Sequence, residues 1–301
     1  MAAYYGIPAF THVFILSRIP VAMSFIELIR NRSIIAPGVF DPLSALIASR
    51  AGFEALYLSG ASISYSYLGL PDLSFTNLSD VESALRRIRA RVDLPIICDA
   101  DTGYGNEINV FHTVKILERS GASAIQIEDQ DIPKRCGHLS GKSVIPSEEM
   151  ILKIRSALQS RREAAIIART DSASIYGIED AIDRANLYHE EGADIIFVES
   201  PRTVEEIEAI ARNVKGPKLI NMVEGGKTPI IGHDRLRELG FNIIIYPGSA
   251  ARTIAYALTR MYSALKNEGT TLGLKDIMVD FNGLQEILGT DEITGRFSPK
   301  S

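Results

Sequence analysis

The chain has 301 residues and a formal net charge of -5, with acidic and basic residues interspersed, which leaves no basic stripe for nucleic acid or an anionic membrane. No run reaches the ~18 apolar residues of a membrane span. Two cysteines, Cys98 in an apolar run and Cys136 in a polar loop, build no disulfide framework and point to a reducing setting, the cytoplasm first, with mitochondrial and peroxisomal interiors compatible.

Residues 1–22 form an apolar, aromatic extension in which Arg18 is the only charge between Tyr4 and Val21. The basic n-region of a signal peptide is missing, so a packing arm, a targeting segment and sequence upstream of a start at Met23 all stay open. Eight short apolar, β-rich runs follow, at 34–40, 55–59, 95–99, 124–128, 165–169, 194–199, 218–222 and 242–246. Segments of helical period separate most of them, and that alternation predicts parallel strands with helical crossovers.

Helix signals agree in chain order. Asp41-Pro42 reads as an N-cap followed by an N1 proline, and Ser79-x-x-Glu82 and Thr203-x-x-Glu206 read as capping boxes. Ile178, Ala181, Ile182, Ala185 and Tyr188 make one buried helical stripe. Gly52, Gly121, Gly192 and Gly240 each precede a strand, where a left-handed helix terminator is wanted. Eight such units close most simply as a (β/α)8 TIM barrel, one domain over residues 23–289. An open doubly wound sheet is the alternative, weakened by the lack of a Gly-x-Gly-x-x-Gly turn after the first strand. Residues 250–267 read as the last barrel helix. A further amphipathic stretch at 280–288 is suited to cover a neighbouring subunit, and 290–301 reads as a polar tail.

The third run ends in Asp99-Ala100-Asp101-Thr102-Gly103-Tyr104-Gly105. Strand alternation puts Asp99 and Asp101 on one face, and two hard carboxylates opening into a Gly-rich loop suit a Mg²⁺ that keeps most of its waters. The other strand ends supply Ser59-Gly60, Glu128-Asp129, Arg169-Thr170-Asp171, Glu199, Asn221 and Tyr246. In a barrel these share one rim, where active sites of this architecture are built. After the fourth strand comes Lys134-Arg135-Cys136-Gly137-His138. The flanking cations predict positive potential that favours thiolate, and Gly137 and Gly141 let the loop close as a lid.

With Asp99 to Asn106, Ile127-Glu128-Asp129-Gln130, the Lys-Arg-Cys-Gly-His loop, Leu58-Ser59-Gly60-Ala61, Gly69-Leu70-Pro71-Asp72 and Asn221 to Pro229, the chain resembles the isocitrate lyase/phosphoenolpyruvate mutase superfamily from about residue 24 to 288. The resemblance implies a Mg²⁺-dependent barrel (Mn²⁺ substituting), its last helix swapped between subunits of a homotetramer built as a dimer of dimers. It assigns Asp99 as the direct metal ligand, with Asp101, Asp72 and Glu128 holding the metal's waters. Ser59, Gly60 and Ala61 become the cradle of a small-molecule carboxylate, a role suited to backbone N–H groups and a hydroxyl. Arg169, Gly137, Glu199, Asn221 and Arg252 complete substrate binding. Cys136 and Tyr57 are the proton-transfer groups, with Arg169, Glu128 and His138 in the catalytic set.

The reaction implied is retro-Claisen cleavage of a 2-hydroxy di- or tricarboxylate to pyruvate and a second carboxylate, with an oxaloacetate hydrolase or a phosphonate mutase as the alternatives. The cysteine loop resembles the lyase branch. Methylisocitrate lyases of the family show Asn-x-Thr, Glu-Phe-Gly and a C-terminal arginine where this chain has Asn221-Met222-Val223, Glu224-Gly225-Gly226 and Asp280-Phe281. Loss of a hydroxyl and a cation favours a substrate of the 2,3-dimethylmalate or oxaloacetate type, with methylisocitrate next.

Overall fold

The β-branched runs become strands because alternate side chains have two apolar surfaces to enter, the barrel lumen and the underside of the helices. The computed structural model describes residues 24–297, and in it β1 (Ile34–Val39), β2 (Leu56–Leu58), β3 (Ile96–Asp99), β4 (Ala124–Glu128), β5 (Ala165–Thr170), β6 (Ile195–Val198), β7 (Lys218–Asn221) and β8 (Ile243–Tyr246) pair in sequence order. The parallel pairing of Ile34 with Ile243 joins β1 to β8 and closes the barrel, so no sheet edge is left open. This is the (β/α)8 architecture expected. The extension at 1–22 lies outside the described residues.

Period-two parity divides the core. Ala36, Tyr57, Ile97, Ala124, Ala165, Ile167, Phe197, Leu219 and Ile245 fill the lumen, and Phe25 and Ile29 of the helix Phe25–Ile29 join that cluster. Their alternates, among them Leu58, Cys98, Ile125, Ile127 and Ile166, pack under the helices. Cys98 is thereby sealed between layers. Carried two residues further toward the strand C-termini, or four in β4, the lumen parity reaches Ser59, Asp99, Glu128, Arg169, Glu199 and Asn221, all buried.

The helix boundaries follow the sequence signals with three exceptions. Asp41 caps Pro42–Arg50 by accepting from the Ser44 N–H, and Gly52, Gly121, Gly192 and Gly240 all take positive φ. Thr203 caps Val204–Asn213, but Glu206 reaches the Arg202 N–H rather than closing a box. The cap expected at Ser79 belongs instead to Asn77, two residues earlier; its side chain accepts from Ser79 and Asp80 while Asp80 returns the bond. Asn ranks with the strongest N-caps, so it outcompetes the serine one half-turn on. The expected polar tail contains a helical turn, Thr290–Gly295, stacked after Phe281–Leu288. No helix among the described residues is long and apolar enough to cross a membrane.

One surface carboxylate stitches two units together. Glu118, at the end of the helix Glu107–Arg119, accepts backbone N–H bonds from Arg162, Glu163 and Ala164 as the chain enters β5. Partial burial pulls its carboxyl upward, but the three donors prevail and hold it below the usual carboxylate range. Its contribution is therefore present above the unfolded pKa of about 4.3 and is lost as pH falls through the lower folded value. Glu118→Ala is expected to cost about 1–3 kcal/mol in urea unfolding at pH 7, with the gap to the parent chain closing toward pH 3; a gap independent of pH would show that the charge is irrelevant.

Candidate active site

Asp72, Asp99, Asp101 and Glu128 are buried at the C-terminal end of the barrel, and each arrives by a different local device. Asp99 is the last residue of β3 and points inward by parity. Asp101 does not share its pleat: β3 has ended, and Asp101 takes φ +48°, donating its N–H to Asp99 Oδ1 at 3.3 Å. A left-handed turn, which Asp tolerates because its side chain or its neighbour's can bond the backbone, brings the second acid back over the first. Glu128 ends β4, and Asp72 comes from the loop beyond Gly69.

Lys134 sits among them, 5% exposed, its ammonium 2.5 Å from Asp72 Oδ1 and 2.7 Å from Asp101 Oδ1. The Asp101 contact is a close ion pair, and Glu128 Oε1 is buried with no hydrogen-bond partner among the described residues. Burial raises the Asp101 carboxyl to about 6, with Asp99 and Asp72 adding to the rise and Lys134 opposing it. Burial likewise lifts Glu128 well above the carboxylate range against the pull of Arg169. Four buried acids with Lys134 and an Arg169 that is shared with Asp171 and Glu199 are under-compensated, and that fits a divalent cation. Among the described residues no three ligating side chains form a ready cage, which suits Mg²⁺ held through one or two carboxylates and water rather than a cation needing a full protein shell.

Beside the acids lies a cavity of about 100 Å³ lined by Tyr57, Ser59, Ala61, Asp72, Asp99, Cys136, Gly137, Arg169, Glu199, Asn221 and Arg252. A roomier depression lies around Lys115 and Arg162 near the N-terminal ends of β4 and β5, but it does not gather these groups. Arg169 is 3.3 Å from Glu128, 3.9 Å from Glu199, and forked onto Asp171 at 2.8 and 3.1 Å, over the Phe197 ring. Glu199 is held well below its ordinary range because Arg169 and His138 outweigh the upward push of burial. Asn221 donates toward Glu199 at 3.3 Å, and its own buried carbonyl oxygen has no hydrogen-bond partner among the described residues.

Several expected roles change in detail. The Gly60 N–H is aimed at Asp99 Oδ2, 3.3 Å away, so it supports the metal acid rather than standing free for an anion. A Cβ at Gly60 would lie 3.3 Å from that oxygen, which is why the position is tight. Ser59 Oγ accepts from the Ser62 N–H as the cap of Gly60–Ile63. Arg252 lines the mouth but is paired with Glu224.

The expected electropositive thiolate is not what the loop builds. Lys134 is neutralised by the acids, Arg135 turns to the Ser140 carbonyl, and His138 contacts Glu199 at 3.1 Å. Burial then pushes the Cys136 thiol up, with Asp72 and Glu199 adding to it, so the sulfur carries its proton. It nevertheless lines the same cavity as Asp99, as anticipated. Gly137 beside it is required by packing, since a Cβ would come within 2.6 Å of Arg169 Nη2 and Glu199 Cγ.

Two contributors, Gln126 and Lys142, were not singled out from sequence. Gln126 accepts from Tyr57 OH at 3.1 Å and donates to Asp99 at 3.1 Å, joining phenol to acid. Its signal was available, because Gln126 and Glu128 share the inward parity of β4. Asp171 and Lys142 form a second buried ion pair at 2.7 Å, which no local pattern announces.

Comparison with known proteins agrees with this geometry. The phosphoenolpyruvate phosphomutase family model matches residues 25–266. The chain is 47% identical to a 2-methylisocitrate lyase of Aeropyrum pernix, covering 87% of this chain and 85% of that one, and 40% identical to a 2,3-dimethylmalate lyase of Eubacterium barkeri, covering 87% and 92%. Among solved structures, a 2,3-dimethylmalate lyase superposes with TM-score 0.85 at 37% identity over 92% of this chain and 95% of that one. An oxaloacetate acetylhydrolase with 3,3-difluorooxalacetate gives 0.81 at 35% over 88% and 93%, and a phosphonopyruvate hydrolase with oxalate and Mg²⁺ gives 0.79 at 28% over the same shares. With its closed barrel, rim of acids and cysteine loop, the chain belongs to the phosphoenolpyruvate mutase/isocitrate lyase superfamily.

Proposed function

We propose that the chain is a Mg²⁺-dependent carbon–carbon lyase that cleaves a 2-hydroxy di- or tricarboxylate of the 2,3-dimethylmalate or methylisocitrate kind into pyruvate and a second carboxylate. The observation that carries it is that Cys136 lines the same small cavity as Arg169, Asp72 and Asp99. The two named lyase relatives support it, and a cavity of about 100 Å³ suits a substrate well below drug size.

Asp99, with Asp72, Asp101 and Glu128, would hold the Mg²⁺, which supplies neutralisation of charge developing on substrate oxygens. Asp171 holds one edge of the Arg169 guanidinium and so fixes its orientation, leaving the remaining N–H groups to meet a carboxylate or the 2-oxygen. Tyr57 is kept protonated by burial and by Asp99, so its part is donation to the substrate oxygen, not abstraction. Glu128, raised by burial, has the proton affinity needed to take the 2-hydroxyl proton. Once the C2–C3 bond breaks, the carboxylate fragment is left as an enediolate, and Cys136 delivers a proton to its carbon. The apolar side chains exposed on Ser249–Glu268 and beyond, including Tyr256, Tyr262, Leu265 and Phe281, support assembly into an oligomer.

Release of 2-oxo acid tests the reading, pyruvate from 2-methyl-substituted malates and methylisocitrate and glyoxylate from isocitrate, with acetate and oxalate release from oxaloacetate as the competing outcome that the acetylhydrolase likeness allows. Cys136→Ser is expected to keep Mg²⁺ and oxalate binding while turnover falls by about 10²-fold or more; near-normal turnover removes the thiol from the mechanism. Chelation by EDTA is expected to abolish pyruvate release and readdition of Mg²⁺ or Mn²⁺ to restore it, and full activity after exhaustive chelation would sink the metal dependence.

A further inference from the structure

Lys142 belongs to the 131–146 loop, yet its side chain is only 1% exposed. Its ammonium donates to the Gly137 carbonyl at 2.6 Å and to Asp171 Oδ1 at 2.7 Å. Gly137 is the residue after Cys136. Asp171 is the carboxylate that takes both donors of the Arg169 fork, at 2.8 and 3.1 Å, and the 3.1 Å bond ends on the same Oδ1 that Lys142 uses. A single carboxylate therefore grips the loop that bears the thiol and the arginine that faces the cavity.

The arrangement suits lysine in particular, because a compact ammonium with three donors serves a carbonyl and a carboxylate at once, whereas a guanidinium fork is matched to one planar partner. Buried ion pairs contribute little net stability compared with apolar packing, so a role in registration accounts for this one better than a role in holding the barrel together. Other contacts hold the loop base independently: Ile145 N–H donates to the Asp129 carbonyl, and Gln130 exchanges bonds with the Arg135 backbone.

Resting on the lyase reading above, we propose that Lys142 is a positioning residue, a latch that bridges the Gly137 carbonyl to Asp171 and so seats Cys136 over the cavity in register with Arg169. Without the latch the loop base stays attached and Ser200 Oγ still donates to the Gly137 carbonyl at 3.1 Å, but the Cys136–Gly137 turn loses its tie to Asp171 and with it the register against Arg169. Asp171 keeps Arg169, and the acids keep their cation.

The test compares Lys142→Met and Lys142→Arg with the parent chain in Mg²⁺ and oxalate, by hydrogen–deuterium exchange of the amides in 131–146. The Cys136 N–H, which donates to the Asp72 carbonyl, and the Leu139 N–H, which donates to the Cys136 carbonyl, are the reporters. Their exchange is expected to quicken about tenfold or more in the methionine variant and by a smaller factor in the arginine variant, with barrel strands unchanged. Mn²⁺ affinity should stay within about twofold while kcat drops about 10²-fold, the split expected when a reacting group is misplaced but the metal site is intact. Parental exchange at both reporters in both variants overturns the proposal, as does acceleration spread evenly through the barrel. Should the methionine variant fail to fold, the arginine variant, which retains the buried charge, decides alone. Exchange needs no turnover, so a chain that cleaves none of the panel would refute the lyase reading and leave the latch still decided by its amides.

Discussion

Charge compensation in a water-poor barrel mouth governs the site. Asp72, Asp99, Asp101, Glu128, Asp171 and Glu199 are all buried there, against Lys134, Lys142 and Arg169. Charges so placed are expensive unless matched, and the matching is geometrically specific. Arg169 stands between Glu128, Asp171 and Glu199, and Lys134 between Asp72 and Asp101. The deficit of positive charge is concentrated at the end of β3, which is where a divalent cation would complete the balance.

That balance also changes the character of the loop. Lys-Arg-Cys-Gly-His read in isolation is a positive environment for sulfur. Folded, Lys134 is taken up by Asp72 and Asp101 and Arg135 turns to the Ser140 carbonyl, and what surrounds the sulfur is low dielectric with Asp72 and Glu199 nearby. A thiol that keeps its proton fits the proton-donor part proposed for it, and that character comes from burial rather than from the flanking cations.

The fold was legible almost residue by residue. Every strand lies within the run that predicted it or extends it by one residue at Thr170, and the four helix-ending glycines all adopt the conformation assigned to them. These signals are local: hydrophobic period, N-cap chemistry and tolerance of positive φ act over a few residues. Where two local signals compete within a half-turn, as Asn77 and Ser79 do, sequence names the feature and misplaces it. Gln126 shows the opposite failure, a polar residue on the inward parity of β4 that could have been read and was passed over.

Sequence by itself determined the eightfold strand and helix order, the inward parity that gathers Asp99, Glu128, Arg169, Glu199 and Asn221 on one rim, and the family to which the motifs belong. Tertiary structure decided who pairs with whom: Asp101 folded back by a left-handed turn, Gly60 N–H spent on Asp99, Lys142 closing on Asp171 across 29 residues of chain. The division has a physical cause. Backbone preferences are set by neighbours along the chain, whereas the protonation and partners of a buried group are set by whichever charges the closed barrel brings within a few ångströms.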